Sequence, residues 1–140
     1  MYLGDQICSL EFAKRLKELG VKQESLFYRF PGERHQYIFC KYYEQYSPHV
    51  DLDMNDGFSA FTVAELGEML PFLIEYNNTK YWYHTGKVNN DNEYYEEHEV
   101  MYTNDMKTIA FLRGHTEADA RANMLIYLIE NKLMELPNET

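Results

Sequence analysis

The run Phe72-Leu73-Ile74-Glu75-Tyr76-Asn77-Asn78-Thr79-Lys80-Tyr81-Trp82-Tyr83-His84 decides the fold. Aromatic and β-branched residues flank two asparagines, and Asn tolerates the positive φ that a tight hairpin turn demands. The pattern therefore predicts two antiparallel strands joined at Asn77-Asn78. Downstream, the polar residues Asn89 to Asn92 predict another turn, followed by a strand over Glu93-Tyr94-Tyr95-Glu96-Glu97-His98-Glu99-Val100-Met101-Tyr102. Alternation puts Tyr94, Glu96, His98, Val100 and Tyr102 on one face and Tyr95, Glu97, Glu99 and Met101 on the other, so at least one face is solvated. Asn104-Asp105 then turns the chain into Lys107-Thr108-Ile109-Ala110-Phe111-Leu112-Arg113. Four consecutive antiparallel strands follow from this stretch.

Helices bracket them. Ser9 is placed to cap a helix from Leu10 to Leu19, with Glu11 in its first turn and Gly20 ending it. Leu10, Ala13, Leu16 and Leu19 form its apolar stripe, and Val21 supplies the apolar contact usual after such a C-cap. Leu26-Phe27-Tyr28-Arg29-Phe30 and His35 to Tyr43 are aromatic runs around Pro31-Gly32-Glu33-Arg34, which predicts a second hairpin. Residues from Ser47 to Gly57 read as a surface loop. Thr62-Val63-Ala64-Glu65 has capping-box spacing and opens a short helix that Gly67 weakens and Pro71 stops. Thr116-Glu117-Ala118-Asp119 opens a C-terminal helix reaching about Leu133, with the stripe Ala118, Ala122, Leu125, Ile129 and Leu133 laid on the meander. Pro137 to Thr140 reads as a loose tail. The fold class is α+β: antiparallel hairpins and a β-meander, an N-terminal helix, a short middle helix and a C-terminal helix packed on the sheet.

Composition bounds the function. The chain has 140 residues and 45% hydrophobic content, which suits one domain spanning residues 1–140. With 13 Lys plus Arg against 23 Asp plus Glu, the formal charge is -10. That balance argues against duplex DNA and anionic membranes as direct partners. No apolar run approaches a membrane span, and the first residues lack a secretory signal pattern, so a soluble cytoplasmic protein is expected. Cys8 and Cys40 are too few for a disulfide framework and read as buried reduced thiols.

Motifs that carry chemistry are sparse. Asp51-Leu52-Asp53-Met54-Asn55-Asp56-Gly57 alternates oxygen ligands like a calcium loop, but Asp56 stands where the EF-hand needs glycine and Thr62 where it needs a bidentate Glu. His35, His49, His84, His98 and His115 show no pair at the spacing that sets two ligands on one helix face. No metal site and no cofactor is predicted. Gly-x-Ser-x-Gly, P-loop, Gly-x-Gly-x-x-Gly and His-Glu-x-x-His signatures are absent, so the sequence points away from an enzyme. A small hydrolase whose site assembles only in space is the enzymatic alternative.

Aromatic residues are the unusual feature, at 16% of the chain. In Tyr81-Trp82-Tyr83-His84, alternate residues project to opposite faces, so one pair fills the core and the other can form an exposed platform for a base. Arg29, Arg34, Lys80, Trp82, His84, Arg113 and His115 are the candidate ligand-binding residues, with the basic ones holding phosphate. Ordinary cross-strand packing of the aromatics is the competing account. Glu93, Glu96, Glu97 and Glu99 are candidates for an acidic surface that meets a basic partner.

Three segments carry a resemblance: Cys8 to Phe30 (CSLEFAKRLKELGVKQESLFYRF), Phe61 to Pro71 (FTVAELGEMLP) and Thr116 to Leu133 (TEADARANMLIYLIENKL). In pattern and order they resemble small proteins encoded by phages, prophages and other mobile elements of bacteria, notably gut bacteria. The resemblance brings no catalytic residues. It implies an accessory protein in the bacterial cytoplasm that acts by binding, either on a host defence complex or on a small nucleotide signal. The first expectation is therefore an acidic-surface inhibitor of a nucleic-acid-binding defence protein. The second is a protein that sequesters a nucleotide on its aromatic strands, and a homo-oligomer joined at a sheet edge is compatible with either.

Overall fold

A computed structural model describes residues 2–32, 36–40, 56–89 and 96–137. After a 3₁₀ turn at Leu3–Gln6, helix α1 runs over Leu10–Glu18. Its end is built by Gly20, whose φ of 91° lets the Gly20 amide donate to Lys17 and the Val21 amide reach back to Leu16. Val21 then enters the core. Ser9 occupies the N-cap position without a side-chain cap bond; its own amide instead donates to Asp119 Oδ1 at 2.7 Å.

Strands β1 (Phe27–Phe30) and β2 (Tyr37–Cys40) form the expected antiparallel hairpin. Strand β3 (Phe58–Ser59), which the sequence did not suggest, pairs on the other side of β1. Three strands thus make one small sheet in the order β2-β1-β3. Helix α2 (Val63–Met69) carries the complete capping box, Glu65 N to Thr62 Oγ1 and Thr62 N to Glu65 Oε1, both at 3.1 Å.

The meander forms the second sheet, β4 (Leu73–Tyr76), β5 (Thr79–Asn89), β6 (Glu96–Thr103) and β7 (Thr108–Gly114), in sequence order and antiparallel throughout. Asn77 and Asn78 make its first turn with φ of 51° and 62°, the mirror-image turn that matches strand twist. Helix α3 (Glu117–Glu130) starts at Thr116, whose hydroxyl accepts from the Asp119 amide at 3.1 Å.

α3 lies across β6 and β7, and α1 and α2 pack on its far side. Its buried residues therefore surround the helix: Ala118, Ala120, Ala122, Met124, Leu125, Ile126 and Leu128. The sequence-based stripe captured only one side of this. Ile74, Tyr81, Val100, Tyr102 and Ala110 face the helix from the sheet. Gly114 ends β7 where the backbone of Asp119 and Ala120 comes too close for a Cβ, so the first turn of α3 sits directly on the strand end. No helix among the described residues is long and apolar enough to cross a membrane.

Candidate functional site

The helices cover one face of the four-stranded sheet. Alternation along β5 sends Tyr81 inward, where it is 6% exposed, and Trp82 outward, where it is 41% exposed. His84 follows Trp82 onto the open side. Strand register then aligns outward residues in rows: Leu73, Trp82 and Thr103 in one, His84, Met101 and Phe111 in the next, and Gly86, Glu99 and Arg113 beyond. Leu73 and Phe111 are exposed, so the open face carries an apolar and aromatic centre.

Charges frame that centre. Arg113 donates from Nε to Glu99 Oε1 at 3.0 Å and from Nη1 to Glu97 Oε2 at 3.3 Å, and its guanidinium lies 5.2 Å from the Phe111 ring centroid. One cation therefore holds two carboxylates and stacks on the aromatic edge of the platform. At the other end Lys80 and Glu75 sit opposite each other across β4 and β5. An open cavity of about 420 Å³ surrounds Trp82, lined by Phe72, Trp82, Tyr83, His84, Thr103, Asn104 and Asp105.

The predicted site residues do not all meet here. Lys80, Trp82, His84 and Arg113 share the open face. Arg29 belongs to the other sheet, where its guanidinium donates to the backbone oxygens of Cys8 at 2.8 Å and Gly4 at 3.2 Å. It ties β1 to the N-terminal segment and stands apart from the open face. His115 lies at the start of α3, exposed beside Asp119 and away from the platform. Arg34 and Glu93 lie outside the described residues, as do His35, His49, residues 41–55 of the presumed loop and strand end, the turn at 90–92 and the tail from residue 138.

The acidic cluster is divided by the pleat. Glu97 and Glu99 are on the open face under Arg113, whereas Glu96 is on the opposite side of β6 and pairs with Lys87. Sequence reasoning did not find Phe111, Met101 and Leu73 as companions of Trp82. Only the cross-strand register brings residues 73, 82, 101 and 111 together.

Among the described residues, no group of three His, Cys, Asp or Glu side chains gathers at one point. Cys8 is fully buried, and desolvation pushes its thiol from the usual 9.0 up to about 12. Such a thiol is inert as a nucleophile. Burial likewise raises Asp119, which is opposed by the hydrogen bonds from Ser9 and the charge of Arg29. No family model, curated protein or solved structure matches this chain.

Proposed function

We propose that the chain is a non-enzymatic binding protein that docks a protein partner on the open face of its four-stranded sheet. One observation carries this reading: among the described residues, Trp82, Phe111 and Leu73 stand exposed in one face that no helix covers, with ion-paired side chains at its border. An aromatic centre with a charged rim is the composition of a protein interface, where aromatic residues, Met and Arg are enriched and a few of them, Trp and Arg foremost, carry most of the binding free energy. Phosphate recognition needs a cation with donors to spare. Arg113 instead gives its donors to Glu97 and Glu99.

The net charge of -10 directs the surface toward a basic partner. With the resemblance to mobile-element proteins, that partner is a host protein of the bacterial cytoplasm, and a nucleic-acid-binding defence component has the matching charge. Binding there would cover its basic groove. A second reading, nucleotide sequestration, is favoured by the placement of Lys80 and Trp82 two residues apart on the same face.

The test is photocrosslinking in bacterial cells with p-benzoylphenylalanine placed at position 111, and at position 18 on the exposed side of α1 as control. One discrete protein adduct from position 111 that is absent from position 18 is the expected result. Equal adducts from both positions, or none from 111, defeat the docking reading. A saturable change in Trp82 emission on adding nucleoside phosphates would move the assignment to the second.

A further inference from the structure

Resting on the docking reading, we propose that the opening around Trp82 is a receptor for an arginine or lysine side chain of the partner protein. Exposed aromatics line it: Phe72 is 75% and Trp82 is 41% exposed, larger openings to solvent than a closed core would leave them. Asp105 lines the same opening from the β6–β7 turn.

The turn itself explains why Asp105 is available. Asn104 uses its side chain to hold the turn, accepting from the amides of Met106 and Lys107 at 2.9 Å each and donating to the Lys80 carbonyl at 3.3 Å. Asp105 takes no part in that scaffold and has no ion pair or hydrogen bond among the described residues. A carboxylate at the mouth of an aromatic-lined opening is complementary to a cation: the ring faces attract it through their quadrupole, and the carboxylate accepts its hydrogen bonds.

Charge on the lining points the same way. The seven residues around the opening include one acid and no Lys or Arg. Of the two flanking cations of the face, Arg113 is engaged with Glu97 and Glu99, and Lys80 stands outside the lining. An anionic group would meet Asp105 with no Lys or Arg in the lining to offset it. Arginine fits best, because its planar guanidinium can stack on Trp82 while its edge donors reach the carboxylate.

Trp82 is the single tryptophan of the chain, so its emission reports occupancy directly. The experiment titrates the full-length protein with tetra-arginine and with tetra-citrulline, which keeps the shape of arginine and removes the charge. The result expected is a saturable change in emission with tetra-arginine, weaker by about fivefold in Asp105→Asn and within about twofold of wild type in Glu135→Gln, as one partly exposed ion pair would contribute. Equal response to tetra-citrulline overturns the proposal. So does an equal loss in Asp105→Asn and Glu135→Gln, which would mean attraction to the overall negative charge. Circular dichroism of both variants verifies that they fold.

The crosslinked complex separates this claim from the one beneath it. Capture from position 111 that survives Asp105→Asn but is lost in Leu73→Ala leaves the docking face standing and removes the cation receptor. Capture lost in both supports the receptor, and no capture from position 111 in the wild-type background removes the face itself.

Discussion

At the scale of single residues, the local chemistry of a side chain was easier to read than its long-range partner. Asn77 and Asn78 announced a turn with positive φ and adopt it. Arg29 announced only a charge; its hydrogen bonds go to backbone oxygens of residues 4 and 8, which no side-chain pattern marks. Cys8 was expected to be a buried thiol, and its burial now yields a measurable consequence. Native protein at pH 8 should release one equivalent of chromophore from a thiol-exchange reagent, from the partly exposed Cys40, and two after unfolding. Two rapidly reacting thiols in the native protein would contradict the packing around Cys8. The sign of its pH effect follows from the raised value. Below the ordinary 9.0 both native and unfolded thiols hold their proton; between there and about 12 only the native one does, so stability falls as pH climbs through that window. Lys132 offers the opposite case, a residue at odds with its backbone. It sits at φ 57°, the left-handed position after α3, where its amide donates to Ile129 and the next amide, Leu133, to Leu128. Glycine adopts this conformation without the Cβ penalty. Lys132→Gly should therefore raise stability by about 0.5–1 kcal/mol, seen as a higher urea midpoint at an unchanged slope.

At the scale of elements, starts and stops were legible because capping is local, while depth in the fold was not. The capping box at Thr62 and the Thr116 cap formed as their spacing implied. β3 escaped notice because two residues carry no periodicity and its partner, β1, is about 30 positions away. The apolar stripe of α3 understated its burial for a related reason: helices α1 and α2 cover its second side, and nothing in the sequence of α3 shows that they do so. Gly67 illustrates how such contacts change the meaning of a residue. Taken alone, a glycine inside α2 costs roughly 1 kcal/mol relative to alanine. In the structure, a Cβ at position 67 would run into the guanidinium of Arg121, which spans from α3 to donate to the Val63 carbonyl at 3.0 Å and to Glu117 at 2.7 Å. Gly67→Ala should thus fail to deliver the usual gain of about 1 kcal/mol and leave stability near or below that of wild type, because displacing Arg121 offsets the helix propensity. Adding Arg121→Ala, which removes the obstruction, should restore a favourable effect of Gly67→Ala measured against Arg121→Ala alone. If Gly67→Ala stabilises by the full amount in the wild-type background, the glycine is not there to admit Arg121.

At the scale of the whole molecule, the same alternation that hides Tyr81 beneath α3 leaves Trp82 facing outward on a chain of net charge -10. The sequence contained both facts, yet it left open which of the two alternating aromatic pairs would face out; the covering helix decides it. Because Trp82 is the only tryptophan, the field at the open face can be measured by collisional quenching. At low ionic strength, caesium should quench Trp82 more efficiently than iodide once each is normalised to free N-acetyltryptophanamide, since a negative surface concentrates cations and repels anions. Asp105 at the opening and the excess of carboxylates elsewhere act in the same direction. The two efficiencies should converge near 1 M potassium chloride, where the screening length falls to about 3 Å. Acrylamide, which is neutral, should quench at every salt concentration because the ring is 41% exposed. Stronger quenching by iodide would show that Lys80 and Arg113 dominate the local field despite their carboxylate neighbours. In that event the face would be suited to phosphate, and nucleotide sequestration would become the better account of what Trp82 binds.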